Sequence, residues 1–168
     1  MRTYIHTFMN DTHPLPDGKG TIRRATKADV PEIVRLHAED VLGRAREDYR
    51  NPLPNAYYKA FEVIDADPKQ FLAVLEREGK VIGTLQLTFL PGLTYQGGTR
   101  AQIEAVHIDE RFRGQRLGEA LVMWAVERSK AHGARLVQLT SSNSRTDAHR
   151  FYKRLGFEAS HIGFKMAL

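Results

Sequence analysis

The 168-residue chain contains no cysteine. That excludes disulfides, thiolate zinc sites and a cysteine nucleophile. It has no apolar run near the length of a membrane span, so nothing is expected to cross a bilayer. The stretch Met1-Arg-Thr-Tyr-Ile-His-Thr-Phe8 lacks the continuous apolar core of a signal peptide, and a cytoplasmic location is the expectation. There is no Gly-x-x-x-x-Gly-Lys-(Ser/Thr) loop, and no Gly-x-Gly-x-x-Gly follows a strand, which removes two common nucleotide-binding folds. The seven histidines lack paired spacing such as His-Glu-x-x-His, so no metal is expected. Neither an internal repeat nor a linker is visible.

What is present fits a single soluble domain. Hydrophobic residues make up 42% and charged residues 27%, and the length suffices for a proper core. The formal charge of +5 raises nucleic acid as a partner. Against it, the basic residues alternate with acidic ones along the chain, and no aromatic-rich recognition motif accompanies them. A mixed solvated surface with one local anion pocket accounts for the charge better.

Residues 1–20, with Pro14, Pro16, Gly18 and Gly20, read as an arm, and residues 21–168 as the domain. Thr21–Thr26 reads as a first strand. Asp29 with Glu32 fits a capping box, with Thr26 as the rival cap, ahead of a helical stripe of Val30, Ile33, Val34, His37 and Val41. Asn55 caps a second helix to about Asp65, and Pro68 ends it. Phe71–Leu75 and Val81–Leu90 form a hairpin across Glu78-Gly79-Lys80, and Arg100–Ile108 is the next strand. A helix from Leu117 buries Leu117, Leu121, Trp124 and Ala125, with Gly133 at its C-cap. Arg135–Thr140 is a strand parallel to Arg100–Ile108 through a right-handed crossover. Ala148, Phe151 and Leu155 face inward from a last helix, and Phe157–Met166 is read as a final strand.

The turn Arg113-Gly-Gln-Arg-Leu-Gly118 lies directly between a strand and a helix. Gly114 lets the backbone approach a ligand closely. The first N–H groups of the helix are unpaired and carry the positive end of its dipole, which suits a phosphate. Arg111, Arg113 and Arg116 add cations. A pyrophosphate matches this arrangement.

The turn, followed downstream by Phe151-Tyr152-Lys-Arg-Leu-Gly156-Phe157, resembles the GNAT superfamily of N-acetyltransferases. The family loop (Arg/Gln)-x-x-Gly-x-(Gly/Ala) maps to Arg113-x-x-Arg116-x-Gly118, with Arg116 at the first motif glycine. An arginine there is compatible with the loop if its backbone is ordinarily helical. The second signature, Tyr-x-x-x-Gly-Phe, maps to Tyr152 through Phe157. The resemblance is clear over residues 100–165 and extends less specifically to Thr21. It implies an α/β (α+β) single domain, with a mixed, mostly antiparallel sheet flanked by helices and two splayed parallel central strands. It also implies acetyl-CoA as co-substrate and a small-molecule or peptide amine as acceptor. Homodimers are common among such proteins.

Acetyl transfer to an amine needs a held thioester, a polarised carbonyl, an unprotonated amine and a proton for the leaving thiolate. On the resemblance, the backbone of Val106, His107 and Ile108 meets the pantetheine and acetyl oxygen. The run Arg113, Gly114, Gln115, Arg116, Leu117, Gly118 and Glu119 meets the pyrophosphate, and Asn143 offers a polar contact to CoA. Tyr152 matches the family tyrosine that protonates the thiolate. Uninterrupted alternation puts Gln102, Glu104, Val106 and Ile108 on one strand face, making Glu104 the candidate base or amine-binding carboxylate and turning His107 away. Asp40, Glu47 and Asp48, with the Pro91–Gly98 loop, are candidates for acceptor recognition. Without cysteine, direct transfer in a ternary complex is expected. Two other readings are a catalytically inactive acyl-CoA-binding regulatory domain and, more distantly, a basic nucleic-acid-binding domain.

Overall fold

The alternating apolar residues between 70 and 90 build the centre of the sheet. The computed structural model, which describes residues 12–40 and 43–168, forms strands β3 (Gln70–Arg77) and β4 (Lys80–Pro91) there. Glu78 and Gly79 both take positive φ at the hairpin, the turn geometry that matches strand twist. Strand β2 (Thr21–Arg24) adds antiparallel to β3, and β1 (Thr12–Pro14) adds to β2. On the other side, β5 (Thr99–Ile108) lies antiparallel to β4, and β6 (Leu136–Leu139) lies parallel to β5. The order is β1-β2-β3-β4-β5-β6.

Each face of the sheet carries its own core. Leu85, Leu87, Phe89, Ala101 and Ile103 pack with Leu117, Leu121, Val122 and Ala125 of helix α4 (Leu117–Ala131). Leu72 and Val74 face the opposite way, against Val30, Ile33 and Val34 of α1 (Val30–Glu39) and Phe61 of α2 (Asn55–Ala66). A single turn, α3 (Thr94–Gly97), connects β4 to β5, and α5 (Thr146–Arg154) follows β6.

Helix ends explain where elements stop. Thr26 and Asp29 form the capping box before α1, so the Thr26 alternative holds over Asp29–Glu32. At the end of α4, the N–H of Ala134 reaches the carbonyl of Ser129 and that of Gly133 reaches Lys130, with Gly133 at φ 80°.

Three expectations need correction or placement. Residues 157–166 form no strand; the sheet ends at β6, and Ile162, Phe164 and Met166 are exposed. Within the proposed arm, Thr12–Pro14 is paired in the sheet and Leu15 is buried against the α4-side core. Val41, assigned to the α1 stripe, lies outside the described residues, as do residues 1–11.

Candidate active site

The site opens where β5 and β6 part. Their parallel pairing runs from Arg100↔Leu136 to Ile103↔Leu139 and stops. Just beyond, Ala105 takes φ 52° and the β4–β5 register jumps from Gln86↔Glu104 to Thr84↔His107. One extra residue on β5 over that interval is a β-bulge, which bends the strand. Among the described residues, the backbone of 104–108 therefore has β4 on one side and no strand on the other.

The bulge overturns the expected sidedness. Glu104 lies opposite Gln86 on the α1 side, and so does His107, opposite Thr84. Val106 and Ile108 pack instead with the α4-side core. His107 is thus not turned away from Glu104, because the bulge resets the alternation by one. Its ring stands 5.6 Å from that of His37 and its Nε2 4.0 Å from Asp40. Burial, followed by the neighbouring His37, pushes the His107 pKa down to about 4, against the opposing pull of Asp40. Burial also lowers His37, whose Nε2 is enclosed with no hydrogen-bond partner among the described residues. Both rings are neutral at pH 7.

Past Ile108 the chain turns sharply into α4. Gly83 on β4 makes room for that end of β5: a Cβ there would lie 2.6 Å from Ile108 Cδ1 and 3.1 Å from the His107 carbonyl. Asp109, 1% exposed, anchors the turn. Its N–H donates to Ile82, and its carboxylate accepts from the Arg111 amide at 3.0 Å, from the Arg111 guanidinium, and from Arg35 of α1 at 3.1 Å. Those bonds, Arg111 first, hold the carboxyl well below its ordinary range. Arg111 thus pairs with Asp109 through a guanidinium that is itself largely exposed.

Gly114 and Arg116 both take positive φ, 79° and 58°. The compatibility offered for Arg116 in the sequence, an ordinary helical backbone, is thus not what the chain adopts. Arg116 takes a left-handed conformation that favours glycine, and carries a side chain as well. Its guanidinium pairs with Glu119 at 2.6 and 3.1 Å. The first intrahelical bond of α4 runs from Ala120 to Arg116, which leaves the amides of Leu117, Gly118 and Glu119 without a helical carbonyl. Arg113 reaches back to the Ile108 carbonyl at 3.3 Å. Gln115 accepts from Arg77, and a Cβ at Gly118 would meet Ile108 and Phe151 only at ordinary contact distance. The donor set and the open backbone at Gly114 fit a pyrophosphate.

From α5, Tyr152 projects into the α4-side core between Phe151 and Phe157, with ring centroids 5.1 and 5.8 Å away. Burial pushes its phenol pKa up. Asn143 is exposed in the loop between β6 and α5, next to Ser142, whose carbonyl meets the His149 ring.

On the α1 side, β3 to β6 carry a row of amide side chains that composition did not suggest. Gln86 donates to Gln70 at 2.6 Å, Gln138 to Gln102 at 2.7 Å, and Thr88 and Glu104 complete the row. The alternation of β4 and β5 held this signal, since Gln86, Thr88, Gln102 and Glu104 fall in one phase. Asp40 lies beside it but is tied to Arg145, and Glu47 accepts from the Tyr57 hydroxyl at 3.1 Å. The Pro91–Gly98 loop precedes β5, at the opposite end of that strand from the turn.

Among the described residues, no group of acidic or histidine side chains could hold a metal ion, and no helix is long and apolar enough to cross a membrane. Residues 38–157 match the acetyltransferase (GNAT) family. An aminoalkylphosphonate N-acetyltransferase from Salmonella typhimurium is 31% identical over 147 residues, 88% of this chain and 90% of that protein. A glucosamine 6-phosphate N-acetyltransferase from Trypanosoma brucei brucei is 37% identical over 90 residues, 54% of this chain and 59% of its own. The crystal structure of a transcriptional regulator from Bacillus halodurans C-125 superposes with a TM-score of 0.87 at 49% identity, covering 89% of this chain and 99% of that one. The chain belongs to the GNAT family of acetyltransferases and is an N-acetyltransferase.

Proposed function

We propose that the protein acetylates the primary amine of a small polar acceptor bearing a phosphate or phosphonate, by direct transfer from acetyl-CoA. The observation that carries this reading is the bulged opening between β5 and β6, with a turn at one end whose helix-start amides have no helical carbonyl and a half-buried tyrosine packed against the same core. Support for the acceptor class comes from the aminoalkylphosphonate and glucosamine 6-phosphate activities of two relatives and from the amide row on the α1 side.

Acetyl-CoA supplies the activated acetyl thioester. The amides of Leu117 to Glu119, Gly114, Gln115, Arg113 and Arg116 hold its pyrophosphate, and the free backbone edge from Val106 through His107 to Ile108 holds its pantetheine. Asn143 adds a contact from the loop after β6. Glu104 faces the acceptor and takes or balances the ammonium proton. Tyr152 keeps its proton at Oη at neutral pH, because burial raises its pKa, and gives it to the departing sulfur. Direct transfer needs no enzyme nucleophile, in keeping with a chain that has no cysteine.

The test is Tyr152→Phe, followed by thiol release with an aminoalkylphosphonate and with glucosamine 6-phosphate. The hydroxyl makes no hydrogen bond within the described residues, so its removal should spare the fold. Turnover should fall about 10²- to 10⁴-fold, the usual range for one positioned acid, with acetyl-CoA affinity nearly unchanged. Unchanged turnover would remove Tyr152 from the mechanism.

The likeness to the Bacillus halodurans regulator favours one second reading, an acyl-CoA-binding regulatory domain. It predicts tight acetyl-CoA binding with no acetylation of any amine in a broad panel.

A further inference from the structure

The turn between β5 and α4 is gripped from outside at its centre. Gly114 and Arg116, on either side of Gln115, both take positive φ. A non-glycine residue keeps such a conformation where its surroundings impose it. The Arg116 side chain pairs with Glu119, three residues on, and that pair lies at the surface. Gln115 supplies a hold of longer range. Its Oε1 accepts from Arg77 Nη1 at 3.0 Å, 38 residues away in sequence.

Arg77 ends β3, and its side chain is only 12% exposed although Gln115 itself is exposed. Its other terminal nitrogen, Nη2, donates to Asp17 at 2.6 Å, across 60 residues. Its Nε is buried with no hydrogen-bond partner among the described residues, so these two contacts orient the guanidinium. Asp17 is itself fixed. The Leu15 amide donates to the Gly20 carbonyl at 2.8 Å, the Lys19 amide donates to the Asp17 carboxylate at 2.9 Å, and Leu15 is buried in the α4-side core. Gly20 permits this approach, because a Cβ there would stand 2.5 Å from the Glu76 carbonyl. One guanidinium thus joins the N-terminal segment, the end of β3 and the middle of the turn. The planar fork of arginine reaches two acceptors in fixed directions, which the single ammonium of lysine does not.

We propose that Arg77 is a positioning residue for acetyl-CoA, a role that rests on the turn being the pyrophosphate site. Held by Asp17, it grips Gln115 and sets the turn so that the amides from Gly114 to Glu119 converge on the pyrophosphate. It acts through Gln115 rather than as a phosphate cation, since Asp17 balances its charge and both terminal nitrogens are engaged.

The test is calorimetric titration of the full chain with acetyl-CoA, using Asp17→Asn, Arg77→Lys, Gln115→Ala and the pair Asp17→Asn/Gln115→Ala. Asp17 is half-exposed, so Asp17→Asn should leave the thermal melt nearly unchanged, while the Kd rises roughly two- to fivefold, the worth of one such pair. Arg77→Lys keeps the charge, loses the fork and should show a similar rise. In the Gln115→Ala chain, Asp17→Asn should add nothing, because the link is already cut. A cation acting directly on phosphate gives the opposite sign, with tighter binding in Asp17→Asn and native affinity in Arg77→Lys. Either result overturns the positioning role, as does a fully additive loss in the paired variant. A native chain that does not bind acetyl-CoA overturns the pyrophosphate site itself. Native binding that none of the variants changes overturns the role of Arg77 alone.

Discussion

Replacing Arg116 separates two effects that its position combines. The residue holds φ 58° at the N-cap of α4, and a non-glycine residue there costs about 1–2 kcal/mol of backbone strain. Glycine removes that strain but gives back about 0.4–1 kcal/mol through the freedom of the unfolded chain. The Glu119 pair is exposed and screened, so its loss adds little. Arg116→Gly should therefore raise stability by up to about 1 kcal/mol, or 2–4 °C in Tm for a domain of this size. Arg116→Ala keeps the strain and should show no gain. Binding should move the other way. If Arg116 leaves Glu119 to meet the pyrophosphate, that contact is lost in both variants and the acetyl-CoA Kd should rise, more at low salt than at high. Glu119→Gln, which frees Arg116, should tighten binding. The assay is a melt of all three variants without ligand, then calorimetric titration with acetyl-CoA at two salt concentrations. Equal melts for the glycine and alanine variants would refute the strain argument. Native affinity in Arg116→Gly would refute the phosphate contact.

Two further outcomes follow from the buried groups. His107 binds its proton more weakly folded than unfolded, so its contribution to stability is full above about pH 6.5 and is lost as pH falls toward about 4, by up to about 3 kcal/mol. His37 shifts the same way, whereas Asp109 and Asp29, both lowered, lose their contribution only below about pH 4. Urea denaturation at pH 7.5, 5.5 and 4.5 should show this slope, and His107→Gln should flatten it. Gly83→Ala should cost about 1–3 kcal/mol by overpacking against Ile108 and the His107 carbonyl, with part recovered by Ile108→Val in a denaturation double-mutant cycle.

Much of the scaffold is legible because local chemistry dictates it. The apolar alternation of β3 and β4, the Leu117–Ala125 stripe, Gly133 after α4 and the crossover to β6 all carry their own signals. So does the pyrophosphate turn, since glycine and a helix start are both visible in sequence. Long-range partners are not. Asp109 collects both Arg111 and Arg35, 74 residues from it, a convergence that no local pattern announces. The segment 157–168 has the pattern of a strand, but a strand also needs an edge to pair with, and pattern alone cannot supply one. Thr12–Pro14 shows the converse: a Pro-rich arm with no periodicity pairs because β2 offers an edge.

The bulge at Ala105 is the least legible feature and has the most consequence. The phase Gln102, Glu104, Val106, Ile108 continues through it, and alanine gives no hint of a left-handed backbone. A substitution can decide between the continuous and the bulged strand, because the two predict opposite signs. In a continuous strand, an exposed Ala105→Val is neutral or stabilising, within the ~1 kcal/mol span of strand preferences. At φ 52° a β-branched side chain clashes with its own backbone, and the cost should exceed about 2 kcal/mol. Ala105→Gly should instead gain slightly or change nothing, as strain relief offsets the freedom of the unfolded chain. Paired urea denaturation reads both. Since the bulge places His107 beside Glu104 and frees the backbone edge of β5, acetyl-CoA affinity should fall in the valine variant and survive in the glycine variant. A valine variant as stable as the native chain would mean that β5 runs straight. Glu104 and His107 would then face opposite sides of the sheet.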